Sequence, residues 1–205
     1  MNQYFNAAQG LKKMFISQVG AIICTVGVAI GAIGAVAFAA AGSLSLIALF
    51  GGLAGIAGIG AIVFAIISLV GLYGAGKDIG GCKTAFTITI ISLCVSVLGS
   101  LFKSSAALAM LFALAGYVLS FLQTYYVCTS VSEVMSSIGA QDVANQGAVV
   151  WKIYLACNIL LAVMKILEKI TVLALLTSVA NLVVSLVGLI MYMIFLNKSY
   201  KALGA

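Results

Sequence analysis

The sequence predicts an all-α, polytopic membrane protein with six transmembrane helices, and three observations support this fold class. Of the 205 residues, 64% are hydrophobic and only 7% are charged, whereas soluble domains carry about 25% charged residues. The mean hydropathy of +1.29 leaves the lipid bilayer as the solvent for most of the chain. The apolar residues fall into six runs near the ~20 residues that cross the hydrocarbon core, at about 16–40, 46–73, 84–102, 106–127, 149–167 and 171–196.

The residues before the first apolar run predict a short helix at the membrane surface. Tyr4, Leu11 and Phe15 fall on one side of a helix that is otherwise polar, as in helices that lie in the interface plane. We therefore expect an interfacial amphipathic helix over residues 1–15. Residues 16–205 are expected to form a single six-helix membrane domain.

Spans one and two each carry a face of small residues. Gly27 and Gly31 form a small-xxx-small pair in span one. In span two, small residues recur at steps of three and four: Ala54, Gly58, Ala61, Ala65 and Ser68. Such faces let helix backbones approach closely in lipid. They are predicted to be close-packing faces, either of span one on span two within a chain or across a subunit interface.

The segments between the later spans are expected to be connections. The stretch 71–86 contains Gly and Lys but lacks the GxxxxGK[ST] pattern of a phosphate loop, so we interpret it as a flexible loop. Span four is expected to continue as an amphipathic helix to Ile138, followed by a polar link over 139–147. A turn is placed at Lys165–Thr171, because charges cluster there within an apolar run too long for one span.

The lysines predict the orientation in the membrane. If the first span begins in the cytoplasm, three lysines lie outside: Lys103, Lys165 and Lys169. Seven then lie on the side of both termini: Lys12, Lys13, Lys77, Lys83, Lys152, Lys198 and Lys201. Cytoplasmic segments carry the excess of basic residues, so we expect both termini in the cytoplasm.

The stretch SLVGL occurs twice, at Ser68–Leu72 and at Ser185–Leu189, and Ser120 takes the corresponding place in span four. Spans three and four also align with spans five and six at an offset of 65 residues. Three helical hairpins related by internal duplication would give this pattern, which is common in transporters. A biased composition also produces short matches by chance, and both explanations stay open.

The residue types argue against an enzyme. The chain contains no His and no Arg, and no carboxylate is predicted beside a Ser or Cys that could act as a nucleophile. Its five cysteines show no metal-ligand spacing and are interpreted as reduced, structural residues. No basic stripe with interleaved aromatic residues indicates nucleic-acid binding. We expect no catalytic residue, no metal, no cofactor and no nucleic-acid partner.

Two amides are predicted near the middle of the membrane. Asn158 lies about ten residues before the turn between spans five and six, and Asn181 lies about as far after it. They are expected either to hydrogen-bond each other across the hairpin or to provide the polar lining of a solute path. No ionisable residue is predicted at this depth, which disfavours ion-coupled transport.

Two functional hypotheses follow from these observations. The first is a passive, homo-oligomeric channel or conduit for a small solute. The alternative is a non-catalytic accessory protein, scaffold or substrate-binding subunit that docks a protein partner at its cytoplasmic face. Six short-looped spans with both ends inside resemble, at the level of the fold alone, the membrane-embedded binding subunits of vitamin importers.

Overall fold

The structure, a computed structural model, describes residues 4–40, 43–102, 105–167 and 174–204. These ranges contain six helices and no strand, as the all-α prediction requires. Helices suit this sequence because each satisfies its backbone hydrogen bonds internally, which lipid cannot do. The helices are α1 (Phe5–Ala40), α2 (Leu44–Ala75), α3 (Gly80–Leu101), α4 (Ala106–Ser137), α5 (Gln141–Leu167) and α6 (Ala174–Ala202).

Five of the helices are long and apolar enough to cross a membrane. Their candidate spans are Phe5–Ala35, Ala48–Ala75, Gly80–Leu101, Met110–Ser137 and Gln141–Met164. Five such helices are consistent with an integral membrane protein, as the sequence predicts. The sixth predicted span coincides with α6, and its crossing of the membrane stays a prediction.

The segment expected to form a separate interfacial helix is part of α1, which is continuous from Phe5 onward. Ala7, Leu11 and Met14 are fully buried against other helices, whereas Phe5 is 61% exposed. Asp78 fixes the start of α1, because its carboxylate accepts hydrogen bonds from the backbone N–H of Ala7 (2.8 Å) and the amide of Asn6 (3.1 Å). The amphipathic pattern of this segment therefore serves the protein core.

The connections predicted at 71–86 and 139–147 are largely helical, and only short turns remain at 76–79 and 138–140. The second turn depends on Gly139, which adopts a left-handed φ of 81° that few residues other than glycine adopt at low cost. The N–H of Ala140 then donates to the carbonyl of Met135 (2.8 Å), as in glycine-terminated helices. At these two places, the described residues between successive helices therefore form only short turns.

Helices α1 and α2 pack closely because α1 presents glycine to α2 along its length. A Cβ atom at Gly31 would lie 2.8 Å from the backbone nitrogen of Ala54, and one at Gly27 would lie 3.1 Å from the Cβ of Ala57. Gly20 lies directly against the ring of Phe64. Of the predicted faces, those of Gly27, Gly31 and Ala54 thus meet within one chain.

The other small residues that were predicted on this face of α2 have different surroundings. A Cβ atom at Gly58 would meet nothing within 4 Å. Ala61, Ala65 and Ser68 line a cavity between α1, α2 and α3. The residues of α2 that face the glycines of α1 therefore differ from the predicted set, since they include Ala57 and the bulky ring of Phe64 beside Ala54.

The six helices form a closed ring. Each helix packs against the next one along the chain, and α6 packs against α1. The last contact includes Phe15 and Tyr200, whose ring centroids are 5.9 Å apart. Because successive helices run antiparallel, both ends of the described chain lie on the same side of the ring.

Buried side chains concentrate at that side, which we call the packed end; it includes the turns 76–79 and 138–140. All six helices contribute to one core there, including Leu11, Leu72, Cys82, Val131, Val150 and Phe195. The opposite halves of the helices, here the open half, expose large apolar residues such as Ile33 (71% exposed) and Ile56 (75% exposed). In a membrane these side chains would contact lipid.

Candidate solute-binding cavities

Two cavities of similar size lie beside the packed core, each at a place where three helices meet. The α1–α3 cavity has a volume of about 240 Å³. The α4–α6 cavity has a volume of about 260 Å³, roughly eight or nine times the ~30 Å³ that one molecule occupies in liquid water. Each cavity could therefore hold about eight waters or one solute of about ten non-hydrogen atoms or fewer.

Both copies of SLVGL contribute to these cavities. Ser68, Leu69 and Leu72 form part of the wall of the α1–α3 cavity. Ser185, Gly188 and Leu189 form part of the wall of the α4–α6 cavity. The sequence indicated only an architectural role for this stretch, so its position at both cavities is new information from the structure.

The α4–α6 cavity contains a polar group that links two helices. The hydroxyls of Ser120 on α4 and Tyr154 on α5 are 3.3 Å apart and share a hydrogen bond. Asn158 is 8% exposed, and its amide Nδ2 donates to the backbone carbonyl of Tyr154 at 2.8 Å. Tyr154 and Asn158 are four residues apart, so both project from one face of α5.

Helix α6 approaches this polar group closely because Gly188 faces it. A Cβ atom at Gly188 would lie 3.3 Å from the Cδ2 atom of Tyr154 and 3.7 Å from the sulfur of Cys157. Both residues also line the cavity, together with Tyr117 of α4. A larger side chain at Gly188 would therefore displace the tyrosine ring or reduce the cavity.

The predicted pair of amides is only partly described. Asn158 lies at the α4–α6 cavity, and the residues of α6 that line the cavity with it include Val184 and Ser185. Asn181 belongs to α6, but its side chain lies outside the described residues. A hydrogen bond between the two amides stays a prediction.

Two hydroxyl groups of the α1–α3 cavity bond within their own helices. Ser17 donates to the carbonyl of Met14, and Thr89 donates to the carbonyl of Ala85, both at 2.8 Å. Gln18 and Ser68 also line this cavity. Because no described hydrogen bond joins its polar side chains across helices, this cavity is the weaker candidate for a polar site.

A third, apolar cleft separates α1 from α6. Its volume is about 430 Å³, and its walls include Ile22 and Val26 of α1 and Leu186 of α6. Ser185 and Leu189 belong to the walls of both this cleft and the α4–α6 cavity. One short segment of α6 therefore separates the polar cavity from an apolar groove.

The chemistry of the α4–α6 cavity suits an uncharged ligand. Its described lining consists of hydroxyl, amide, thiol and apolar side chains, with no charged residue. A buried ion would lack the paired charge that makes its burial tolerable. No group of three or more metal-ligating side chains occurs in the part of the chain that the structure describes, and the absence of an enzyme activity or a metal stays a prediction.

Comparison of the chain with protein-family models, curated proteins and solved structures finds no match. Sequence reasoning identified Asn158 but missed Tyr154 and Gly188 as site residues. The spacing of Tyr154 and Asn158 could have indicated a shared helix face, whereas Gly188 was marked only as part of the repeated stretch SLVGL, which indicated architecture rather than a site.

Proposed function

We propose that this protein is a non-catalytic integral membrane protein with six transmembrane helices that binds a small, uncharged, polar solute in its α4–α6 cavity. The observation that carries the proposal is the hydrogen bond between the hydroxyls of Ser120 and Tyr154, which joins two candidate spans. The amide of Asn158 lines the same cavity and donates to the backbone carbonyl of Tyr154 within its own helix. Polar side chains inside a membrane protein are costly to bury. Here they line a cavity, where a hydroxyl or amide of a solute can complete their hydrogen bonding.

The proposed orientation places the packed end and both termini in the cytoplasm. All seven lysines that the sequence assigns to that side belong to exposed positions of described helices or turns: Lys12, Lys13, Lys77, Lys83, Lys152, Lys198 and Lys201. Tyr73 and Trp151 lie beside lysines at this end, with Lys77 and Lys152 at 5.5 and 5.7 Å from their ring centroids. Lysine with interfacial aromatic residues is typical of a cytoplasmic membrane surface.

The packed end favours a binding protein over a pore through a single chain. Leu11, Val131 and Phe195 are fully buried there in a core to which all six helices contribute. A solute leaving the cavity toward this end would have to displace those side chains. This arrangement suits a substrate-binding subunit or an accessory protein that docks a partner at its cytoplasmic face.

The second candidate is the passive, homo-oligomeric conduit, in which a path would lie between copies of the chain. One observation favours it. Gly51, Gly55 and Gly58 follow each other at steps of four and three on α2, and a Cβ atom at any of them would meet nothing within 4 Å. Such a face suits close packing of a second helix in lipid. The mass of the purified particle in lipid nanodiscs tests this candidate, since a monomer would exclude it.

We also propose that the α3–α4 and α5–α6 hairpins arose by duplication. Gly81 lies against Ser130 across the first pair, and Gly147 lies against Phe195 across the second. Gly147 and Phe195 are 65 residues beyond Cys82 and Ser130. The two hairpins thus pair with the same register to within one residue, at the offset at which their sequences align.

Solute binding can be tested on the purified protein in nanodiscs. We expect a rise in melting temperature with some members of a panel of small amides and polyols, and none with charged compounds of the same size. Tyr154→Phe removes the cavity hydroxyl and should weaken binding about tenfold, the effect of roughly 1.4 kcal/mol for a lost hydrogen bond. Tyr125→Phe removes one hydroxyl from a tyrosine outside the described lining and is the matched control.

Two results would overturn the proposal. One is a panel in which no uncharged compound stabilises the wild-type protein. The other is equal binding by the Tyr154→Phe and Tyr125→Phe proteins, which would mean that the solute occupies another place.

A further inference from the structure

The turn between α2 and α3 forms a basic notch at the packed end. We call it the α2–α3 notch; its volume is about 260 Å³, and it is lined by Tyr73, Gly76, Lys77, Lys83 and Phe86. Two of these five residues are lysines and two are aromatic. The proposed solute cavity lies between other helices, so the notch is a separate feature of the molecule.

Local packing brings the two lysines to one place. A Cβ atom at Gly76 would lie 3.0 Å from both the backbone nitrogen and the Cα of Lys83, so glycine at this position suits the close approach of the turn to the start of α3. Lys77 follows this glycine directly. Its Nζ lies 5.5 Å from the centroid of the Tyr73 ring, a cation–π contact that holds the ammonium group near the wall of the notch.

The nearest carboxylate in sequence is engaged elsewhere. Both oxygens of Asp78 accept hydrogen bonds from the start of α1, namely from Asn6 and from the backbone N–H of Ala7. Asp78 therefore serves α1, and the described lining of the notch contains two cations and no anion. An anionic group with several acceptor oxygens, such as a phosphate, complements this arrangement.

The position of the notch indicates where such a phosphate would come from. The candidate spans Ala48–Ala75 and Gly80–Leu101 end and begin at this turn, so the notch lies at the depth of lipid headgroups. Ile66 and Val70 are exposed on α2 at spacings of seven and three residues before Tyr73, on the same helix face. They form an apolar track from the notch toward the middle of the membrane.

We propose that the α2–α3 notch binds one anionic phospholipid of the surrounding leaflet. Lys77 and Lys83 contact the phosphate, Tyr73 and Phe86 flank the headgroup, and an acyl chain lies along Val70 and Ile66. The rings of Tyr73 and Phe86 have centroids 5.6 Å apart and are tilted by 58°, which makes them one wall at the membrane interface, where aromatic residues are favoured.

Native mass spectrometry of the detergent-solubilised protein tests this site with phosphatidylglycerol and phosphatidylcholine as probes. We expect the wild-type protein to retain one phosphatidylglycerol in preference to phosphatidylcholine. The double variant Lys77→Gln/Lys83→Gln should bind it about 30-fold more weakly, because each lysine near an anionic lipid surface contributes roughly fivefold. The charge-preserving Lys77→Arg/Lys83→Arg variant should retain binding.

The matched control is Lys198→Gln/Lys201→Gln, which removes the same charge from the end of α6 at the same end of the molecule. It should bind phosphatidylglycerol like the wild-type protein. Equal losses in both glutamine variants would overturn the proposal, because they would indicate general attraction to a basic surface. Displacement of the lipid by an equal concentration of inorganic phosphate would also overturn it, since the apolar track would then contribute nothing.

Discussion

The packed end and the open half of this molecule are built from the same apolar residue types but use them differently. At the packed end, all six helices contribute to one buried core. In the open half, Ile33, Ile56 and other large apolar side chains face outward, where lipid is as favourable a neighbour as another apolar side chain. The difference shows that helix packing in lipid depends on side chains whose shapes fit together. Hydrophobicity alone does not drive it, because an apolar side chain is as favourable against lipid as against protein.

The largest expected effect is on the packed end. Phe195→Ala leaves a cavity beside Gly147 and within the common core, and should destabilise the protein by about 3–5 kcal/mol, as large-to-alanine changes in cores do. Ile56→Ala in the open half removes contacts with lipid alone and should change stability by less than about 0.5 kcal/mol. Reversible unfolding of both variants in the same mixed micelles measures the difference, and similar losses would refute the distinction between the two regions.

The next prediction concerns the interface between α1 and α2 in the open half. Gly31→Val would force atoms against the backbone of Ala54 and should cost about 1–3 kcal/mol, the usual range for overpacking. Gly58→Val introduces the same side chain on the neighbouring helix, where nothing lies within 4 Å, and should be nearly neutral in the monomer. If Gly58→Val were the more damaging change, its face would be in contact with another subunit.

A smaller effect is expected at the start of α1. Asp78→Ala removes the acceptor for the backbone N–H of Ala7 and should destabilise the protein by about 1 kcal/mol, as loss of a helix cap does. Glu133→Ala at an exposed site of α4 is the control for loss of one negative charge. Hydrogen exchange should show faster opening of the first turns of α1 only in the Asp78 variant, and unchanged exchange there would contradict the cap.

The smallest effect is expected for the link between α4 and α5. Ser120→Ala removes its hydrogen bond to Tyr154 and should cost about 0.6 kcal/mol, the average for such bonds in a membrane protein. Ser100→Ala, whose hydroxyl bonds within its own helix to Val97, is the control for loss of a serine. A cost above about 2 kcal/mol would mean that this bond mainly stabilises the fold, which would contradict a role of the two hydroxyls in binding a solute.

Apolar run length predicted the helices well, including the continuation of span four, since α4 ends at Ser137. Small-residue spacing predicted the contact of Gly31 with α2 but included Gly58, which faces open space. The two glycines look alike in sequence because lipid-facing and core-facing helix sides share the same composition. The placement of residues 1–15 at the membrane surface stays a prediction for the same reason, since an amphipathic pattern does not reveal whether its apolar side meets lipid or protein.

The cavities were not predictable from a linear pattern. Ser120, Tyr154 and Ser185 come from three helices, and only the pairing register brings them together. Asn158 was detected because an amide stands out in an apolar helix, whereas serines are frequent throughout the chain. The sequence therefore reveals a site residue whose type is unusual in an apolar helix, whereas the fold is needed to find site residues of common types.

The cysteines of this chain allow a direct test of the central proposal. It states that small solutes reach the α4–α6 cavity and that the packed end is closed to them. Cys157 lines the α4–α6 cavity, whereas Cys82 and Cys128 are fully buried in the packed core and Cys94 is exposed on α3. Iodoacetamide is a small, uncharged, water-soluble reagent, and peptide mass spectrometry after brief treatment of the protein in liposomes measures its reaction at each position.

The account predicts that Cys157 is alkylated much faster than Cys82 and Cys128, because water and small solutes reach the cavity but not the packed core. It also predicts faster reaction than at Cys94, which lipid surrounds. Alkylation of Cys82 and Cys128 as rapid as that of Cys157 would contradict the closed packed end. A Cys157 as unreactive as Cys94 would contradict the solute-accessible cavity.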